Sequence, residues 1–137
     1  MLPPPRRVYA LIAPIWIICL IVGSLLPYEA KVAMGTRPGY PVNPHLRVVS
    51  IQHRLFHWVS FGGTAVLLML LARNRYQDVA AAAGTIALGC TIEYAQHAIY
   101  RGVIEYWDMR DDTYAVLAAF AVLQVPGLRK MLVRDHG

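Results

Sequence analysis

The sequence predicts an all-α fold: a polytopic membrane protein built as a four-transmembrane-helix bundle with both termini cytoplasmic. Three observations predict it. Of the 137 residues, 57% are hydrophobic and only 15% charged, whereas a soluble domain usually carries about a quarter charged residues. The charges gather in short clusters between long apolar runs. The first such run, Val8 to Pro27, holds about 20 apolar or small residues, enough to cross a hydrocarbon core of roughly 30 Å. The mean hydropathy of +0.43 agrees. A length of 137 residues allows one compact unit, a single domain over residues 1–137.

The net charge of +5 does not point to nucleic acid. Lys and Arg stand at the ends of apolar runs rather than along one polar face. Cys19 and Cys90 each sit inside an apolar run and read as small packing residues.

Taken in order, MLPPPRR is a stiff basic lead that its prolines keep from being helical. The first span covers residues 8–27. It is too long for the apolar region of a signal peptide, contains Trp16 and ends in SLLPYE, so it reads as a retained helix. Residues 28–52 form an outer connection broken by Pro38, Pro41 and Pro44 and wetted by Arg37, His45 and Arg47. The second span, 53–73, carries Gly62 and Gly63, which let membrane helices approach closely. After a tight polar connection comes the third span, 78–100, with Ala80 and Gly84 spaced as a small-residue packing face. The fourth, 113–128, ends near Pro126 and Gly127 and leads to the basic tail RKMLVRDHG. Basic residues are nearly balanced across the two sides. The inner ones sit tightly at span ends, however, and the outer ones are interspersed with acidic residues, which places both termini inside.

That topology gathers the unusual polar residues at one side of the membrane. Glu93, Gln96, His97 and Tyr100 are spaced to share one helix face. His53 and His57 are one turn apart at the head of the second span, and Arg101, Glu105, Asp108, Arg110, Asp111 and Asp112 follow the third. With a rise of about 1.5 Å per residue, Glu93 lies about 10 Å deeper than Tyr100, and His57 about 6 Å deeper than His53, so Glu93 and His57 can meet. Ionisable groups at membrane depth are costly and mark functional sites.

The expected chemistry is an outward-facing pocket. Glu93, polarised by His57, is the candidate general base of any reaction there. Arg101 and Arg110 would clamp an anionic group, and Gln96 and Tyr100 would orient it. A second reading is a buried Glu–His–Arg network that only joins helices. A third is an intramembrane metal site of His53, His57, Glu93 and His97, since both pairs have the i, i+4 spacing of helical metal ligands. A fourth is a small structural or assembly subunit of a larger membrane complex, packed through small residues near Ala80, Gly84, Ala118, Ala119 and Ala121. Asp111 and Asp112 read as capping residues at the start of the fourth helix, with Asp108 kept for the site. Trp16, Trp58, Tyr100, Tyr106 and Trp107 read as interfacial anchors rather than ligand-stacking groups.

These residues carry a resemblance to the VanZ-like family of small bacterial membrane proteins. Ser24-Leu25-Leu26-Pro27 is similar to the SLxP ending of that family's first helix, and His57 to the His at the head of its second. Glu93 and Gln96 match its E-x-x-Q, then Arg101 and Asp108 its Arg and Asp, with Asp112 at the family's Asn and Thr113 next. Gln52 and His53 stand where an Asp-Lys pair is usual, and the Arg-to-Asp gap is about one residue longer. The resemblance implies a four-helix protein of the bacterial cytoplasmic membrane, associated with glycopeptide-antibiotic resistance or envelope homeostasis. On that footing Gln96, Tyr100, Arg101, Asp108, Arg110 and Asp112 would bind the headgroup of an anionic envelope lipid or lipid-linked precursor. No cofactor is expected, and the resemblance supplies no agreed reaction.

Overall fold

The computed structural model describes residues 4–27, 51–101 and 103–133. Among them there is no strand. They form helices α1 (Arg6–Leu25), α2 (Ile51–Leu71), α3 (Arg75–Tyr100), α4 (Tyr106–Leu123) and the short α5 (Leu128–Leu132). The outer connection lies outside the described residues as far as residue 50, and so does the tail beyond residue 133. Two helices, Arg6–Leu25 and His53–Leu71, are long and apolar enough to cross a membrane.

Local chemistry sets the ends. Helix α1 runs unbroken through Pro14 and stops where Leu26 turns extended, the conformation favoured before Pro27. Between α2 and α3, Asn74 accepts from the Gln77 N–H at 2.9 Å while the Gln77 amide oxygen accepts from the Arg73 N–H at 2.6 Å. This reciprocal cap explains a connection of so few residues. Gly127, at a φ of +84°, turns the chain from α4 into α5.

Helix α4 begins at Tyr106, seven residues ahead of the expected span, with Glu105 as its N-cap. The reading of Asp111 and Asp112 as capping residues is therefore corrected: both lie past the first turn with their side chains buried against α2. The reason is a tertiary bond, because the Glu93 carboxylate accepts the Glu105 backbone N–H and fixes the entry to the helix.

Helix α2 packs against α1, α3 and α4, most extensively against α4. Its buried residues Phe61, Ala65, Met69 and Leu70 meet Leu20 of α1, Ile92 of α3 and Val116 and Leu123 of α4 in one core. The closest approaches at glycine use Gly89, against Asp112 and Phe61, and Gly63, against Trp16, with Gly62 in contact with Ala115. Ala80 and Gly84 stay exposed, and nothing lies within 4 Å of a Cβ placed at Gly84. The chain thus packs its helices through other small residues than the expected pair. Midway along α1, the Trp16 indole N–H reaches the Thr64 hydroxyl at 3.1 Å, and that hydroxyl donates to the Ser60 carbonyl at 2.7 Å.

At the end of the bundle holding the start of α1, the Arg129 guanidinium closes the structure. It donates to the Met69 and Ala72 carbonyls at the end of α2 and to the buried Asp78 of α3 at 3.1 Å. Nearby, the Tyr9 hydroxyl donates to the Leu132 carbonyl at 2.6 Å. Replacing Arg129 by Met would strand both the carbonyls and the Asp78 carboxylate, an expected loss of about 2 kcal/mol. Equilibrium unfolding in detergent measures it, and adding Asp78→Asn to the same chain should recover part of the loss.

Candidate functional site

The opposite end of the bundle gathers the polar residues. Helices α2 and α4 both start there and run parallel, while α1 and α3 both end there. Two residue pairs with the same separation along the chain lock the parallel helices. The His53 Nε2 lies 3.0 Å from the Asp108 Oδ2, and the His57 Nδ1 lies 2.7 Å from the Asp112 Oδ1. One helical turn separates the members of each pair, so His53 and His57 on α2 face Asp108 and Asp112 on α4 as a ladder. A diagonal contact joins its rungs, since the His57 Nε2 is also 3.4 Å from the Asp108 Oδ2. The His57 ring stacks on Phe61 with an interplanar angle of 15°.

Beside the ladder, Arg54 forms a two-point ion pair with the buried Asp111. Its Nε donates to Oδ2 at 2.7 Å and one terminal nitrogen to Oδ1 at 3.2 Å. Arg110 adds a contact to the same Oδ1 at 3.2 Å and lays its guanidinium 4.3 Å from the Trp107 ring centre. Asp111 precedes the apolar body of α4, which begins at Thr113. The hydrogen bonds from Arg54 hold its carboxyl below the ordinary aspartate range, and the charges of Arg54 and Arg110 reinforce them.

The sequence-predicted residues divide into two groups. His57, Asp108 and Asp112 are in mutual contact, joined by His53. Glu93 is buried and within electrostatic range of His57 and Asp108, but its carboxylate is directed at the Glu105 N–H. Gln96 and Tyr100 face α1: the Gln96 amide donates to the Ser24 carbonyl at 2.7 Å, and the Tyr100 hydroxyl donates to the Leu25 carbonyl. They satisfy carbonyls that the end of a helix leaves open. Arg101 and His97 are exposed. Arg101 adopts a left-handed backbone with φ of 51°, and its N–H closes α3 on the His97 carbonyl at 2.9 Å.

Three participants escaped the sequence reading: Arg54, Asp111 as an ion-pair partner, and Gly89. A signal for the first two was present. His53, Arg54 and His57 put three basic groups on the opening turns of one helix, and Asp108, Asp111 and Asp112 put three acidic groups on the opening turns of another. Gly89 carries no side chain to betray its role.

The arrangement keeps imidazoles and carboxylates in fixed contact, with the two arginines half exposed beside them. It is suited to proton exchange, to cation binding, and to holding a polar group presented at the bundle end. The chain matches no protein-family model, no curated protein and no solved structure.

Two outcomes test the geometry. A Cβ at Gly89 would come 2.9 Å from the Asp112 Oδ2 and 3.2 Å from the Phe61 ring. Gly89→Ala should therefore push Asp112 off His57 and cost about 1–3 kcal/mol in unfolding experiments. Because Asp111 is depressed in the folded chain, its contribution to stability is complete above the unfolded aspartate value of about 3.9 and is lost as pH falls from there through the lower folded value. Acid titration of Asp111→Asn should show a shallower loss of stability than wild type over that window.

Proposed function

We propose that this chain is a VanZ-like, multi-pass protein of the bacterial cytoplasmic membrane, with four spans and both termini inside. Its His–Asp end would face outward and hold the polar headgroup of an anionic envelope lipid or lipid-linked precursor. The observation that carries this reading is a cluster of the half-buried His57 with the buried Glu93, Asp108 and Asp112 at one end of a bundle whose sides are apolar. Exposed Leu11, Ile15, Ile18 and Val22 on α1, Leu55 and Val59 on α2, Ile99 on α3, and Leu117 and Val122 on α4 suit acyl chains better than water. Exposed Tyr106 and Trp107 stand beside the cluster as residues of a membrane interface do.

The elements of the resemblance also meet in space, which supports the family reading. The Ser24 carbonyl bonds Gln96, and His57 contacts both Asp108 and Asp112. Within this reading Arg110, half exposed and stacked on Trp107, and the exposed Arg101 supply the guanidinium groups for phosphate or carboxylate. His57 and the carboxylates around it position the headgroup and would exchange protons with it.

Headgroup binding is tested with the purified chain in nanodiscs of phosphatidylglycerol against phosphatidylcholine. Arg101→Gly is informative because glycine suits the left-handed position, so folding is retained or improved by about 0.5–1 kcal/mol. Arg101→Gly and Arg110→Gln should each weaken retention of the anionic lipid about tenfold, equivalent to about 1.4 kcal/mol. Equal retention of both lipids by wild type would sink the reading. In cells, a glycopeptide susceptibility profile that separates deletion from wild type, with Glu93→Gln resembling the deletion, supports the envelope role.

A further inference from the structure

The diagonal contact of the ladder raises a problem of charge. The His57 Nδ1 lies 2.7 Å from the Asp112 Oδ1, close enough for the two to share a proton. With that proton on Nδ1, a neutral His57 would turn the lone pair of Nε2 to the Asp108 Oδ2 at 3.4 Å, and the His53 Nε2 approaches the same oxygen at 3.0 Å. A proton or a bound cation between these nitrogens and the carboxylate oxygen would balance the Asp108 charge. One ligand atom from each of His53, His57 and Asp108 lies within 4.8 Å of the other two.

We propose that His53, His57 and Asp108 bind a divalent transition-metal ion of the zinc class, with a fourth coordination position open at the exposed end of the bundle. The spacing fits. Ligands at about 2.0–2.1 Å on a tetrahedral ion lie about 3.3–3.4 Å apart, beside the 3.4 and 3.0 Å separations from the two nitrogens to the Asp108 oxygen. The His53 side chain is 45% exposed, so closing the His53–His57 separation requires a rotation of that ring. Two imidazoles and one carboxylate favour zinc or ferrous iron over calcium or magnesium, which prefer all-oxygen ligands.

The surroundings are those of a metal-bound histidine. Asp112, on the far nitrogen of His57, fixes its tautomer and ring orientation as second carboxylates do in metal sites. Phe61 holds the ring from its face. Arg54 and Arg110 already answer Asp111, whereas Glu93, Asp108 and Asp112 are buried together and, among the described residues, imidazoles are the cationic groups set against them. A divalent ion would offset that negative charge. The open position would accept water or a phosphate oxygen.

This ligand set differs from the one read on the sequence, which paired the histidines with Glu93 and His97. Glu93 is committed to the Glu105 N–H, and His97 is no member of the cluster.

The test uses the full chain in detergent, stripped with a chelator and titrated with zinc alone by calorimetry, with cobalt(II) absorption as a report of coordination. Wild type should take up one ion per chain, with calcium and magnesium failing to compete. His53→Ala and Asp108→Asn should each weaken zinc binding on the order of a hundredfold, and Asp112→Asn by about 10–100-fold through the second shell. His97→Ala should leave it unchanged. Circular dichroism of each variant separates lost binding from lost folding. Substoichiometric zinc on folded wild type, or uptake abolished by His97→Ala, would overturn the proposal. So would nitrogen NMR showing His57 doubly protonated and unaltered by zinc, with the ring simply bridging two aspartates. Zinc uptake is measured without lipid and headgroup retention after chelation, so each can fail without the other.

Discussion

The contact of His57 with Asp112 on one nitrogen and Asp108 on the other is the constraint on which this end of the bundle depends. Helices α2 and α4 run parallel and share an apolar seam of Phe61, Ala65, Val116 and their neighbours. Such a seam tolerates sliding, because alanine, valine and leucine offer similar surfaces at several registers. The ladder does not. His53 meets Asp108 and His57 meets Asp112 at equal separation along the chain, and a shift of one residue would turn each carboxylate by about 100° away from its partner. Buried polar contacts of this kind specify register even where their net contribution to stability is small.

The same logic governs the rest of the architecture. Polar ties between helices are concentrated at the two ends of the bundle; in the middle Trp16, Ser60 and Thr64 satisfy one another, and the buried Thr85 donates to the Ala81 carbonyl of its own helix. At the His–Asp end Gln96 and Tyr100 close the last turn of α1. At the other end Arg129 closes the last turn of α2. The ends of α1 and α2 are each met by side chains from a different helix, while α3 and α4 are closed by the backbone that follows them. In a low-dielectric setting an unmet backbone group is expensive, so these bonds both stabilise the ends and choose which helices are neighbours.

The site combines two kinds of chemistry that the fold keeps apart. The imidazoles and Asp108 form a compact donor set with an open side at His53. The guanidinium groups of Arg54 and Arg110 flank Asp111 next to exposed aromatic rings. A cation at the first and an anion at the second would be complementary neighbours. Gly89 makes the juxtaposition possible, because any side chain there would meet Asp112 and Phe61.

Composition and periodicity alone determined the helical class, the positions of the long helices to within a few residues at most ends, and the gathering of Glu93, His57 and Asp108 as residues of interest. These follow from local rules, since apolar run length sets helices and the 3.6-residue repeat says which side chains share a face. The early start of α4 was not legible, because it depends on Glu93 reaching a backbone N–H twelve positions away in sequence. Nor was the turning of Gln96 and Tyr100 toward α1, or the pairing of Arg54 with Asp111. A helical repeat describes one helix at a time. Which face meets which, and at what register, is decided only when several helices pack together and every buried polar group must find a partner.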